Sequence, residues 1–430
     1  MSNEVPGPRF DQAGGQQAPA GPAASPARAA SSPAASPARA ASGPASEFDR
    51  LIDRAGTGAL AWDRRRHGVP ADALPLWVAD MAFAAPPAVR QALAERAAHG
   101  IIGYSVPTDS YYEALAGWFE RRHGWQVEAR AAVLTRGVVH GLHLALEALT
   151  KPGDGVIVQP PVYAPFFEAV HGRGRRLLAN PLVEGPDGYQ IDFDGFAAAA
   201  RQATAVILCS PHNPVGRVWR RAELEQLAEI CLRHGLWIIS DEVHADFAYP
   251  GRRHTVTASL GAEVDAITVT CTAPSKTFNL AGLQLANLFA ADLGARARLK
   301  AAYAAQGLGP HPGLALAACQ AAYCGRADAW VDDLVAYLEG NMACLAAGIG
   351  ANLPQLGFRQ PEGTYVAWID FRALGLEPAE LRRLVLERAR LWLSDGESFG
   401  PGGAGFQRLN AAAPRAVLTE ALRRLAEALT

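Results

Sequence analysis

Lysine is nearly absent from this chain: of its 40 basic residues, only Lys151, Lys276 and Lys300 are lysines. Cysteine is scarce too. Six occur in 430 residues with no Cys-x-x-Cys pair, which argues for reduced core thiols and against a disulfide framework. No uninterrupted apolar run of about 18 residues exists, so no membrane-spanning helix is expected. A net charge of −2, from 40 basic against 42 acidic residues, lacks the concentrated basic surface that nucleic acid requires. No apolar stretch of the kind found in signal peptides lies near the N-terminus, and the expected compartment is the cytoplasm. No metal is expected. What is present is 50% apolar and 19% charged residues, the balance of a soluble globular protein large enough for two domains.

Residues 1–45 are dominated by Ala, Pro, Ser and Gly, and the phrase Ser-Pro-Ala-Arg-Ala-Ala-Ser occurs at Ser25–Ser31 and again at Ser36–Ser42. Proline interrupts any helix, and too few large apolar side chains are present to offset ordering entropy, so a disordered tail is expected. From about Glu47 the composition changes. Apolar, β-branched runs at Ala132–Thr135, Gly155–Val158, Ala205–Cys209, Leu236–Asp241, Ala266–Cys271 and Leu283–Ala291 read as strands buried on both faces. Helical stretches at Val138–Leu149 and Arg221–His234 lie between them, and a longer one covers Ala329–Leu345. The pattern predicts an α/β fold with a mostly parallel sheet covered on both sides. A smaller α+β domain follows. The expected boundaries are an arm over 46–85 that joins the small domain, a large domain over 86–305 and the small domain over 306–430.

Ligands of such sheets bind where the strands end at their carboxyl edge. Gly137 opens a helix after the first of these strands, and free N–H groups at a helix start can seat a phosphate. Standing alone, such a turn is more often an ordinary tight turn. Asn213 follows another strand in Pro211–Gly216. Asp241 ends the next one, where a helix cap or turn is the commoner role for an acid. Lys276 follows the strand at Ala266–Cys271 in a composition that uses arginine almost everywhere else. An amine can lose its proton and condense with a carbonyl, which a guanidinium cannot. Carboxylate, amide and amine at successive strand ends suit pyridoxal 5′-phosphate.

The chain resembles the fold-type I pyridoxal-phosphate enzymes, the aspartate aminotransferase superfamily, and more narrowly the MalY/PatB subgroup of cystathionine β-lyases. The matching phrases include Leu76-Trp77-Val78-Ala79-Asp80-Met81, Pro211-His212-Asn213-Pro214-Val215-Gly216-Arg217, Ser240-Asp241-Glu242-Val243-His244-Ala245-Asp246, Ala273-Pro274-Ser275-Lys276-Thr277 and Phe399-Gly400-Pro401-Gly402-Gly403 through Arg408-Leu409-Asn410. They run from about Glu47 to Thr430. The resemblance implies a PLP-transferase-like large domain and assigns roles by position. Lys276 is the residue that would carry the cofactor as a Schiff base. Asp241 lies beside the pyridine nitrogen, Asn213 near the ring oxygen and Tyr163 over the ring. The backbone of Gly137, Val138 and Val139 would take the phosphate with help from Ser275. His244 is a further donor to the ring oxygen, and Arg408 holds the substrate carboxylate. Tyr104 falls on a tyrosine contributed by the neighbouring subunit, which implies a homodimer with shared active sites.

The activity implied is β-elimination from an amino-acid substrate, with cystathionine, cysteine or S-substituted cysteines giving thiol, pyruvate and ammonia. An aminotransferase is the alternative within the fold, and a pyridoxal-phosphate-binding regulator with little turnover is a third reading. Gln284 favours the lyase, because many aminotransferases place an arginine there to reach the phosphate. Three departures stand out. Ala82 replaces an acid that many relatives carry, Ser210 replaces an Asn, and Ala273 replaces a phosphate-binding Ser of aminotransferases.

Overall fold

Seven short strands build the central sheet. In chain order they are β1 (Val133–Thr135), β2 (Gly155–Val158), β3 (Arg176–Ala179), β4 (Ala203–Cys209), β5 (Trp237–Asp241), β6 (Thr268–Thr272) and β7 (Ala286–Ala290). The computed structural model describes residues 46–64 and 68–430, and the tail expected over 1–45 lies outside the described residues. Ser46–Thr430 forms one compact unit. The seven strands make one sheet in the order β1-β7-β6-β5-β4-β2-β3. All neighbours are parallel except β7, which runs antiparallel to both β1 and β6.

Both faces of this sheet are buried, as the near-continuous apolar runs require. Because side chains alternate along a strand, β4 sends Val206 and Leu208 into one core and Ala205, Ile207 and Cys209 into the other. Strand β3 escapes the sequence reading for a physical reason. It is an edge strand, partly exposed along its length, and Arg176 opens it in place of an apolar residue.

Five helices frame the site and the core: α1 (Asp109–His123), α2 (Val138–Leu149), α3 (Arg221–His234), α4 (Asp328–Asn352) and α5 (Arg415–Leu429). Local chemistry sets their ends. Thr108 caps α1 by accepting from the Tyr111 N–H, and Gly124 ends it in the left-handed region at φ 65°. Gly235 ends α3 likewise at φ 68°. Helix α4, 25 residues long, is long and apolar enough by length and composition alone to cross a membrane, although its apolar run is interrupted. In the fold, Val331, Leu334, Leu338, Met342, Leu345 and Ile349 of α4 are buried in the core, and α4 packs on α5.

A second, antiparallel sheet is built from β8 (Gly357–Phe358), β9 (Val366–Asp370), β10 (Ser394–Asp395) and β11 (Phe406–Asn410), in the order β8-β9-β11-β10. The arm reaches this region through Leu74–Pro75, which pairs in parallel with Leu391–Trp392. The turn after β4 bridges toward the smaller sheet. The Gly216 carbonyl accepts from the N–H groups of Glu362 (2.9 Å) and Gly363 (3.1 Å), and Arg217 pairs with Glu362 at 2.9 Å.

Gly216 has φ 71°, and a Cβ there would sit 2.2 Å from the Cβ of Pro361. Gly216→Ala combines a left-handed backbone with overpacking. The expected loss of stability is about 2–4 kcal/mol, read as a lower denaturation midpoint at unchanged slope. A variant as stable as the parent would show that this turn is not held by its contact with Pro361.

Candidate active site

The parallel register of β4, β5 and β6 sets Cys209 opposite Asp241 and Asp241 opposite Cys271, so one row of side chains marks the carboxyl edge of the sheet. A cavity of about 210 Å³ opens there. Asp241, Asn213 and Lys276 line it, as do Tyr163, His244 and Ser275. Gly137, Val138 and Val139 form another wall. Nine residues singled out from the sequence therefore meet at one place.

Gly137 caps α2 at φ 98° with no side-chain cap, and a Cβ on it would meet nothing within 4 Å. The first N–H groups of α2 thus start the helix without an internal acceptor, facing the cavity with the positive end of the helix dipole. That is a cradle for an anion.

Lys276 follows β6 in the short helix Pro274–Thr277 and is half-buried. Its Nζ donates to the Ala79 carbonyl at 2.7 Å. Burial, reinforced by the charge of Arg408, brings the amine down to about 8, while Asp80 and Asp241 pull the other way. Asp241 is buried at 5% exposure, and burial raises its carboxyl to about 7. The Val243 N–H, which donates to it at 3.2 Å, and the charge of Lys276 only partly offset this. His244 is buried with Nδ1 unpartnered, and burial together with Lys276 and Arg408 keeps its imidazole neutral, well below the ordinary range.

Arg408 comes from β11 of the smaller sheet, where Trp368 and Ser394 are its cross-strand neighbours. It is buried, and its Nη2 donates to the Trp77 carbonyl (2.7 Å) and to the Ser394 hydroxyl (3.2 Å). Nη1 donates to Asn213 Oδ1 at 3.2 Å, and Nε has no partner. Among the described residues no carboxylate pairs with this guanidinium. Burial lowers it to about 10. Because Arg408 occupies the Asn213 carbonyl, the amide NH₂ of Asn213 is the end left to serve a ligand.

Tyr104 is not brought to this cavity. It is 96% exposed, on a loop between the helix Pro87–Ala98 and α1. Residues that the sequence reading passed over also belong here. The Ala79 carbonyl accepts from both Lys276 and Tyr365 Oη (2.9 Å), and Arg136 and Cys209 line the cavity. Ala79 carries no side-chain signal, since its contribution is a backbone oxygen. Arg136 lines the wall, but its guanidinium donates to the carbonyls of Gly309 (3.4 Å) and Pro310 (3.2 Å).

An anion cradle, a buried acid, an amide NH₂ without a partner and a depressed amine fit pyridoxal phosphate: phosphate, ring nitrogen, ring oxygen and aldehyde each meet a suitable group. Comparison with known proteins agrees. The model of the aminotransferase class I and II family matches residues 71–425. The chain is 44% identical over 387 residues to cystathionine β-lyase PatB of Bacillus subtilis (strain 168), covering 89% of this chain and 100% of that one. It is 33% identical to protein MalY of Escherichia coli (strain K12), covering 89% and 98%. The crystal structure of cystalysin from Treponema denticola, which contains pyridoxal 5′-phosphate, superposes with a TM-score of 0.86 at 36% identity, covering 89% and 98%. Fold, cavity and sequence therefore agree, and the chain belongs to the aminotransferase class I and II family.

Proposed function

We propose that this protein is a pyridoxal-phosphate-dependent C–S β-lyase, acting on cystathionine, cysteine or S-substituted cysteines to release thiol, pyruvate and ammonia. The observation that carries the reading is the pair Lys276 and Asp241 on the wall of one cavity, with Arg408 bonded to the lining residue Asn213 and no ion pair formed among the three. Similarity to a named cystathionine β-lyase along almost the whole chain supports the choice of a lyase. Gln284 lines the cavity at a left-handed φ of 48° and brings no positive charge.

When bound, pyridoxal phosphate supplies an electron sink for negative charge at the substrate α-carbon. The residues around it divide the remaining work. Gly137, Val138 and Val139 would hold the phosphate through backbone N–H groups, and Ser275 would add a hydroxyl. Asp241 would keep a proton on the ring nitrogen, since an opposite charge nearby favours the protonated form. Asn213 would donate to the ring oxygen, beside the neutral His244, and Tyr163 would cover the ring. Arg408 takes the substrate carboxylate in its bidentate fork, filling the place that no protein carboxylate occupies. Lys276 Nζ, with a pKa near that of a working base, removes the α-proton. The electron pair left on the α-carbon would then form a Cα–Cβ double bond as the Cβ–S bond breaks and sulfur leaves as thiolate, and water would hydrolyse the released enamine to pyruvate and ammonia.

Tyr104 belongs to a second copy of the chain on this reading. Its loop also exposes Ile101 (68%), Ile102 (65%) and Val106 (73%), a cluster of large apolar side chains in water that a partner surface would cover. A homodimer with shared sites follows.

Three outcomes test the proposal. Borohydride treatment should attach the cofactor at Lys276, and Lys276→Ala should abolish both labelling and pyruvate release from cystathionine. Pyruvate formed only with an added keto-acid acceptor would indicate a transaminase instead. Next, the raised pKa of Asp241 means the folded, cofactor-free protein binds a proton there that the unfolded chain has released. Its stability should therefore fall as pH rises from about 4 to about 7, and Asp241→Asn should remove this part of the slope. An unchanged slope in the variant would contradict the raised pKa. Finally, inactive Lys276→Ala chains mixed and refolded with impaired Tyr104→Phe chains should regain activity, because one site of a mixed dimer has both residues intact. No recovery despite subunit exchange would place Tyr104 in its own chain's site.

A further inference from the structure

Arg408 is desolvated, yet no carboxylate balances it, and the structure offers a reason why it stays in place. Its guanidinium carbon lies 5.0 Å from the ring centroid of Phe399. Phe399 meets Trp368 edge-on at 5.2 Å and 73°. Trp368 stacks on Phe406 at 4.8 Å and 5°. Arg372 lies over the Phe406 ring at 4.5 Å, and Arg372 is anchored by Asp370 (2.7 Å) and Glu184 (3.0 Å). Three rings thus form a ladder with a guanidinium at each end.

The ladder follows from strand geometry. Trp368 lies directly across from Arg408 in the β9–β11 register, and Phe406 precedes Arg408 by two residues, so all three side chains share one face. Phe399 comes from the turn before β11 and is 3% exposed. That turn is tightly packed: a Cβ on Gly396 would lie 2.0 Å from the Gly403 carbonyl oxygen. The Phe399 carbonyl accepts from the Val162 N–H at 2.9 Å, which ties the same turn to the residue beside Tyr163.

We propose that Phe399, backed by Trp368 and Phe406, is the positioning residue for Arg408. A ring face attracts a cation through its quadrupole without carrying a formal charge. It holds the guanidinium plane while leaving the fork unneutralised, which a carboxylate at the same place would not do. The inference rests on the reading that Arg408 binds the substrate carboxylate. Phe399 touches Arg408 and not the reacting atoms, so its effect is on binding that ground state and transition state share. Such a loss raises KM and leaves kcat in place.

The test uses the cofactor-loaded enzyme with L-cystathionine. Phe399→Leu, near in volume but without a ring face, should raise KM about tenfold with kcat held within about twofold. Phe399→Tyr should restore the parent KM. Should the leucine variant melt too low to assay, Phe399→Met serves the same purpose. Arg408→Ala is the control on the underlying reading. If it raises KM and Phe399→Leu does not, the positioning role is wrong while the carboxylate site stands. If Arg408→Ala leaves KM unchanged, both are wrong. A fall in kcat together with loss of the visible cofactor band in Phe399→Leu would make the ring a general packing element and overturn the proposal.

Discussion

The site depends on a short rail of backbone carbonyls. In the segment Leu76–Met81, Trp77 O accepts from Arg408 (2.7 Å), and Ala79 O accepts from Lys276 (2.7 Å) and Tyr365 (2.9 Å). Asn410 donates to Val78 O (2.7 Å) and Asp80 O (2.5 Å). The rail is fixed at both ends: Leu76 exchanges backbone bonds with Trp392 (2.9 Å) and Asn410 (2.8 Å), and Asp80 pairs with Arg54 at 2.8 Å. A half-buried lysine and a buried arginine are thereby held by neutral dipoles. A carbonyl orients a donor and softens its desolvation without cancelling its charge, so Lys276 and Arg408 remain free to meet a substrate.

The same sparing use of charge extends through the cavity. Asp80 is committed to Arg54, and position 82 carries an alanine. Asp241 is the acid that lines the cavity, and burial raises its carboxyl to about 7. Sites that hold unpaired groups ready for a ligand lower stability, and the two fully buried faces of the central sheet offset that here.

Residues whose chemistry is unusual for their surroundings were legible in the sequence. Lys276 stood out because arginine replaces lysine almost everywhere, and Asp241 and Asn213 because an apolar strand ends beside each. The parallel sheet was legible because burial on both faces leaves unbroken β-branched runs. The remainder lacked such a signal. Strand β3 is an exposed edge, the Ala79 carbonyl belongs to backbone, and the aromatic ladder joins residues from two strands and a turn whose register no local pattern specifies. Tyr104 was legible only through resemblance, and in a single chain it is exposed and does not line the cavity that holds Lys276.

The two ends of the cavity solve the same problem differently. At the carboxylate end, a full guanidinium is held by carbonyls and a ring face. At the phosphate end, Gln284 brings no charge, and Arg136 directs its guanidinium to the carbonyls of Gly309 and Pro310. The uncapped start of α2 lines the cavity here, and a helix terminus contributes about 0.3–1 kcal/mol per charge and ~2 kcal/mol when partly buried. A group held this way relies on many aligned weak donors, which in turn requires the start of α2 to be rigid. Gly141 supplies that rigidity: a Cβ on it would lie 2.7 Å from Leu288 on β7, so its bare backbone lets the first turn of α2 press directly against the sheet. The open start of α2 at the cavity is therefore a consequence of helix-on-sheet packing.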